Sequence, residues 1–565
     1  MLLCDIPHFV VIGNFGEVRG RSFSNSLVQL HRSLDQFMQS RFTFELDGED
    51  CRVERENTHR TLAGFLSELD PCFAHFANDA SWRGGHLVVL GDLKGDRHRF
   101  RAVDAQLLML PMLSGRQVWT PEGIRNAEPD HPVNLALHNG HLECGRARGD
   151  AVVALMFEGY YRLDLRRHVQ SNDQFDAIIT RSANIPAIRE VAAQVFASAA
   201  QLRNEYGNKV TESDEESTER LENKDIFEDR FTKSLFDLKS RAFLSYVDDS
   251  KRRFHQPSNL VELLKLKREY PDAQFIAGGT ELAQQSGKVG WSNLISLEDV
   301  KELTSITIAK DFWDIGAAVP LTEIAEKLGS ECEAFNKVIC RFGSRAIRNR
   351  ASLGGYLATA WESGQLTPLL MALQARVILL SEEGERDAPI SNFYKDGGGT
   401  ILNPNEVIRS IIIPRYNESS LSERGVTARL CNTYTAAPRR TLCEPYATGG
   451  FAVELCGRKV SKAWIAYSGI NQHPVRAREA ERFLAGKRWG EKTVFEMLPI
   501  LVDTVKVTDH RNEIAGSDYR KQLVVTLFQK FLFHHPTPES IRPESLTAAV
   551  DFAKLNQPFF DEIAD

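Results

Sequence analysis

Apolar and polar residues alternate through FTFELDGEDCRVE, from Phe42 to Glu54, with Asp47-Gly48 where the two runs meet. A period of two puts one face of each run in a core, and Asp-Gly suits a tight hairpin, so the pattern predicts two antiparallel strands. The period then lengthens. Leu62, Phe65 and Leu69 have helical spacing, and HLVVLGDLKGD from His86 returns to strand. Strand, strand, helix, strand in that order predicts a β-grasp domain. From Pro132 to about Ala200 apolar residues recur at three and four, as in NLALHNGHL and REVAAQVFASAAQL, which predicts a small helical bundle. VTESDEESTERLENKD, from Val210, is dense in acid and poor in apolar residues and reads as a solvated connection.

Beyond the connection, from near Phe254, a helix in SNLVELLKLKREY precedes the strand and turn AQFIAGGTEL. DIGAAVPLTEI, the helix-bearing RFGSRAIRNRASLGG, the strand ARVILL and the closing EVIRSIIIP follow, an alternation that predicts an α/β region. From about Tyr434 to Phe533, strands in GGFAVEL and KAWIAYSGI lead to helices starting at Ala477, Thr493 and Ser517. The expected fold class is a multidomain α+β protein.

Composition narrows the function classes. At 565 residues the chain exceeds one core, and 42% hydrophobic with 26% charged residues is ordinary for a globular protein. A formal charge of -7 gives no reason to expect a nucleic-acid partner. No apolar run is long enough to span a bilayer, and MLLCDIPHF lacks the basic segment of a secretory signal, so no membrane association and a cytoplasmic location are expected. The nine cysteines include no CxxC pair, a scatter that fits buried thiols in a reducing compartment.

Two small-residue turns carry the candidate chemistry. Ile276-Ala277-Gly278-Gly279-Thr280 follows a strand and opens toward a helix, and Ala351-Ser352-Leu353-Gly354-Gly355 is a second such turn. A pyrophosphate needs backbone amides and close approach, which glycine permits because it has no Cβ. There is no GxGxxG after a strand, hence no Rossmann nicotinamide site. For the basic run Arg345, Arg348 and Arg350, a solvated helix face is expected ahead of contact with phosphate.

These segments, with FRAVDAQLLMLPMLSGRQVWTPEGI, HPVNLALHNGHLECG and DYRKQLVVTLFQKFL, fall in an order that resembles the small, flavin-carrying subunit of bacterial xanthine dehydrogenases, in the molybdenum hydroxylase family. The resemblance implies an N-terminal extension over 1–40, a degenerate ferredoxin-like β-grasp domain over 41–120 and a degenerate cluster-binding four-helix bundle over 121–207. An acidic linker over 208–250 would lead to a two-part α/β FAD-binding domain of PCMH type over 251–418. A C-terminal α/β domain like the CO dehydrogenase flavoprotein would cover 419–535, with a tail over 536–565.

The same resemblance marks what is missing. The family's first 2Fe–2S cysteines fall on Asn78, Arg83, His86 and Gln106, and the second set on Cys144, Ala147, Thr180 and Ser182. Clusters need thiolates, so neither is expected. Two readings stay open for Cys72, His75 and His86: packing residues, or ligands of a single zinc ion.

The implied cofactor is FAD, held by Ile276, Ala277, Gly278, Gly279, Thr280, Glu281, Ser352, Gly354, Gly355, Thr359, Ile408 and Arg439. NAD(P) as electron partner, a molybdenum-type large subunit and an oligomeric assembly are implied as well. Four departures bear on the flavin: Tyr356, Gln365, Pro438 and Cys443 replace the family's residues. Tyr356 and Trp361 either stack on a ring or fill the cleft, and Arg439 and Arg440 lie where a reduced flavin would carry negative charge. Two functions are expected to compete: a flavin oxidoreductase exchanging hydride with NAD(P)H or a small substrate, and a non-catalytic partner keeping the family's subunit interface.

Overall fold

The computed structural model describes residues 38–69, 86–94, 97–140, 146–162, 173–176, 178, 185–210, 226–282, 292–416, 418–439, 443–508 and 516–536. The alternating N-terminal runs form β1 (Arg41–Leu46) and β2 (Glu49–Glu54), paired antiparallel. Their turn places both Asp47 and Gly48 at positive φ. With β3 (Leu87–Lys94), β4 (Arg97–Asp104) and β5 (Gln117–Trp119) they make a mixed sheet in the order β2-β1-β5-β3-β4. Helix Leu62–Leu69 buries Leu62, Ala63 and Leu66. Four helices follow, Pro121–Ala127, Pro132–Asn139, Arg146–Tyr161 and Ile185–Val210. The third supplies a fully buried run from Val152 to Phe157.

The stretch expected as a linker over 208–250 carries regular structure in its later part. Helix Arg230–Phe236, capped by Asp229, packs Phe231 and Leu235 into the core beneath the first sheet, because its apolar residues repeat at helical spacing after the acid run ends. β6 (Leu244–Val247) already belongs to the next domain, where it joins β7 (Arg253–Gln256), β8 (Gln274–Ile276) and β9 (Asn293–Ser296) in the order β6-β7-β9-β8. That domain therefore opens on a strand pair, and helix Leu260–Glu269 comes after it. The helix starts on a reciprocal cap: Asn259 accepts from the Glu262 amide at 3.0 Å, and the Glu262 carboxylate accepts from the Ser258 amide at 2.8 Å.

A second sheet of the same domain has the order β10-β11-β14-β12-β13, built from β10 (Ile306–Ile308), β11 (Phe312–Gly316), β12 (Arg376–Ser381), β13 (Gly384–Pro389) and β14 (Val407–Pro414). The C-terminal domain is an antiparallel sheet of β15 (Ala428–Ala436), β16 (Ala447–Cys456), β17 (Lys459–Ser468) and β18 (Val475–Arg476). Helices Arg478–Leu484, Glu491–Val505 and Ser517–His534 cover it, with Phe451, Trp489, Phe528 and Phe531 packed between sheet and helices. Helix Thr367–Ala372 bridges to this sheet so closely that a Cβ on Gly450 would lie 2.2 Å from the Pro368 carbonyl carbon.

Arg345, Arg348 and Arg350 correct the expectation of a solvated face, being 3%, 1% and 5% exposed. Arg345 contacts Glu158 at 3.0 Å and Glu326 at 2.7 Å; Glu326 in turn meets Arg101 at 2.7 Å, and Arg348 meets Asp173. A buried ionic seam thus joins the N-terminal half to the α/β domain. Charge spacing along one helix does not reveal carboxylates that another domain supplies.

Candidate functional site

The two glycine turns come together. β8 delivers Ile276 into the core and the chain then turns through Gly278 and Gly279, the latter at φ +76°. A Cβ on Gly278 would sit 1.7 Å from the Arg350 carbonyl oxygen, so only glycine lets this turn reach the segment that begins the second one. Arg350 returns the contact, its Nε donating to the Gly278 carbonyl at 3.3 Å. A Cβ on Gly279 would lie 2.7 Å from the Leu107 carbonyl oxygen, which places the first turn against the N-terminal domain too.

In the second turn Ser352 caps the short helix Leu353–Ala358, accepting from the Gly355 amide at 3.1 Å. Gly354 faces inward, where a Cβ would meet that of Ala317 at 2.5 Å. Gly355 faces outward, and a Cβ there would meet only the Ser352 hydroxyl, at 3.0 Å. Thr359 is exposed and ties back to the Gly355 carbonyl at 2.7 Å. Ile408, buried in β14, shares a core with Leu353 and Leu357 of that helix.

Thr280 and Glu281 continue the first turn toward the surface. Arg439 is exposed on the loop after β15, beside exposed Pro438, and its carbonyl accepts from the Cys443 thiol at 3.2 Å. Glu444 on the same loop accepts from Ser363 at 2.7 Å, drawing the loop to the stretch that carries Gln365. Arg440 lies outside the described residues. The geometry joins the Ile276–Thr280 and Ala351–Gly355 turns directly; no hydrogen bond or ion pair among the described residues brings Arg439 to either turn.

Tyr356 fills space. Its ring packs edge-on to Phe342, and its hydroxyl accepts from the amides of Leu366 at 3.0 Å and Thr367 at 3.1 Å, closing the first turn of helix Thr367–Ala372. Burial pushes this phenol up to about 12. Trp361 is 43% exposed. Gln365 Oε1 is buried with no hydrogen-bond partner among the described residues, an uncommon and costly state. Close-packed glycines, an outward Gly355 and an orphaned acceptor suit a polar dinucleotide lying across the turns.

Beneath the first turn, Glu298 contacts Arg350 at 2.6 Å and Arg116 at 3.3 Å. Those guanidiniums outweigh desolvation and hold the Glu298 carboxyl down at about 2. Sequence reasoning missed Glu298 and Leu107, which no local pattern marks. Of the eight positions matching cluster ligands, His86 and Gln106 have described side chains, and they meet: Gln106 Nε2 lies 3.3 Å from His86 Nδ1. Asn78, Arg83, Cys144, Thr180 and Ser182 lie outside the described residues, as do Cys72 and His75 of the alternative zinc site.

Two family models match the chain: the FAD binding domain in molybdopterin dehydrogenase over residues 249–416, and the CO dehydrogenase flavoprotein C-terminal domain over 432–534. The nicotinate dehydrogenase FAD-subunit of Eubacterium barkeri is 30% identical over 290 residues, covering 49% of this chain and 93% of that protein. Xanthine dehydrogenase of Emericella nidulans is 27% identical over 552 residues, 90% of this chain, which spans 39% of that longer protein. Quinoline 2-oxidoreductase from Pseudomonas putida 86 aligns in structure with a TM-score of 0.45 at 23% identity, over 52% of this chain and 98% of that one.

Proposed function

The chain belongs to the FAD-binding subunits of the molybdenum hydroxylase family, and on that footing we propose that it exchanges electrons at the flavin directly, with NAD(P)H or a small substrate, without iron–sulfur clusters. The observation that carries the flavin reading is the contact of the two glycine turns, 1.7 Å from an added Gly278 Cβ to the Arg350 carbonyl. Bound FAD supplies a two-electron hydride carrier. The turns at Gly278, Gly279 and Gly355 would hold its pyrophosphate, Ser352 holds the helix that presents Gly355, and Arg439 would supply positive charge toward a reduced flavin.

The cluster-free reading is supported at His86 and Gln106, which pair with one another where the family would place sulfur donors. The N-terminal half then acts as a spacer fixed to the flavin domain by the Arg345 seam, and a molybdenum-bearing large subunit is the partner that the family implies. A non-catalytic scaffold is the second reading, favoured by the space Tyr356 occupies.

Flavin, iron and sulfide analysis of purified protein separates these readings. FAD bound near one per chain and bleached by NAD(P)H, with iron and sulfide well below stoichiometry, is the expected result. A colourless protein would leave the scaffold. Stoichiometric iron and sulfide would end the cluster-free reading.

A further inference from the structure

A cleft of about 890 Å³ opens between the α/β domain and the C-terminal domain, at the end of β14 marked by Pro414, Arg415 and Tyr416. Ile408, which packs beneath the second glycine turn, is six residues back along the same strand, about 20 Å away at strand rise. The cleft is therefore separate from the flavin site. Its volume lies in the range of small-molecule sites.

Its walls are rich in arginine. Arg376, Arg415, Arg424, Arg476, Arg478 and Arg482 line it, against the three carboxylates of Asp311, Glu423 and Glu481, in a chain whose formal charge is -7. Four of these arginines are held by carboxylates: Arg376 by Asp387, Arg415 by Glu331, Arg424 by Glu454 and Arg476 by Glu481. Those four are fixed in place with their charge balanced. Arg478 and Arg482 differ, for among the described residues neither has a carboxylate within ion-pair reach. Four residues apart on helix Arg478–Leu484, they share one exposed face. Arg478 reaches across the cleft to the Asn392 side-chain oxygen at 3.2 Å, so a group bound there would touch both domains.

We propose that this cleft is a second ligand site, for a small phosphate-bearing molecule of the nucleotide class, whose phosphates are held by Arg478 and Arg482. Planar guanidiniums recognise phosphate oxygens in pairs, and two of them one helical turn apart match a diphosphate better than a single carboxylate.

The test is titration calorimetry on the FAD-loaded protein with ADP, with inorganic pyrophosphate and with anionic phospholipid vesicles, for wild type, for Arg478→Gln/Arg482→Gln and for Arg482→Gln alone. ADP and pyrophosphate should bind wild type with a submillimolar Kd and weaken at least about tenfold in the double variant, with flavin content unchanged. The single variant covers the case in which the double one misfolds, and a drop of about threefold or more is expected from it. Binding of vesicles alone would replace the nucleotide class with a membrane headgroup. No binding by wild type at 10 mM ligand, or equal binding by wild type and variants, would overturn the proposal.

Discussion

Gly278 and Gly355 look alike in sequence, each in a pair of glycines after small residues, yet their surroundings demand opposite outcomes on substitution. Gly278→Ala drives a methyl group into the Arg350 carbonyl, and overpacking of this kind costs about 1–3 kcal/mol or more. Both melting temperature and flavin content should fall. Gly355→Ala sits in a helix where an added Cβ meets only the Ser352 hydroxyl, at 3.0 Å, and once that hydroxyl shifts slightly alanine stabilises the apoprotein by up to about 1 kcal/mol. Its flavin-to-protein absorbance ratio should drop while the apoprotein melts no lower; a variant that keeps full flavin would remove Gly355 from the cradle. Tyr356→Phe strands two helix-start amides and should cost about 1–3 kcal/mol without loss of flavin, checked by chemical denaturation beside the absorbance ratio.

At the scale of elements, the first turn rests on Glu298 as much as on its own glycines. β9 and the residues after it bring this carboxylate beneath β8, between arginines from two domains. Glu298→Gln takes the carboxylate from buried Arg350 and leaves Arg116 with Asp92, and breaking such a pair costs about 3–5 kcal/mol. The loss should appear as a lower urea midpoint near neutral pH. Because the carboxyl is depressed to about 2 from 4.5, its share of stability is complete above pH 4.5 and disappears as pH falls toward 2. The helix and strand elements were largely legible from period, since period states which face is covered. Glu298 was not, because its partners are distant in sequence and an acid beside a strand end looks like any surface acid.

The whole molecule carries a pH signature from groups buried in different domains. His131, under the helical bundle, and His255, in β7, are both held down to about 4 by burial. Each stays neutral in the fold while the unfolded chain protonates near 6.5, so stability drops as pH falls from 6.5 to 4. The loss between pH 7 and pH 5 is about 2 kcal/mol per histidine. Asp104, pushed up to about 6 by burial, works the other way and recovers part of it, because its folded form is penalised more as pH rises from 3.8 through 6. The urea midpoint should fall from pH 7 to pH 5, and His255→Gln should flatten that fall; a midpoint that rises would sink this account.

By itself the sequence determined the alternating and helical periods, the tight Asp47-Gly48 turn, the two glycine turns and the lack of thiols at all but one of the eight cluster-matching positions, because each is a property of neighbouring residues. Only the tertiary structure decided that Arg345, Arg348 and Arg350 are buried, that Tyr356 caps a helix and that Gly279 lies against Leu107, next to Gln106. Those are contacts between segments far apart in the chain, and their energy depends on which partner folding delivers, which local spacing does not encode.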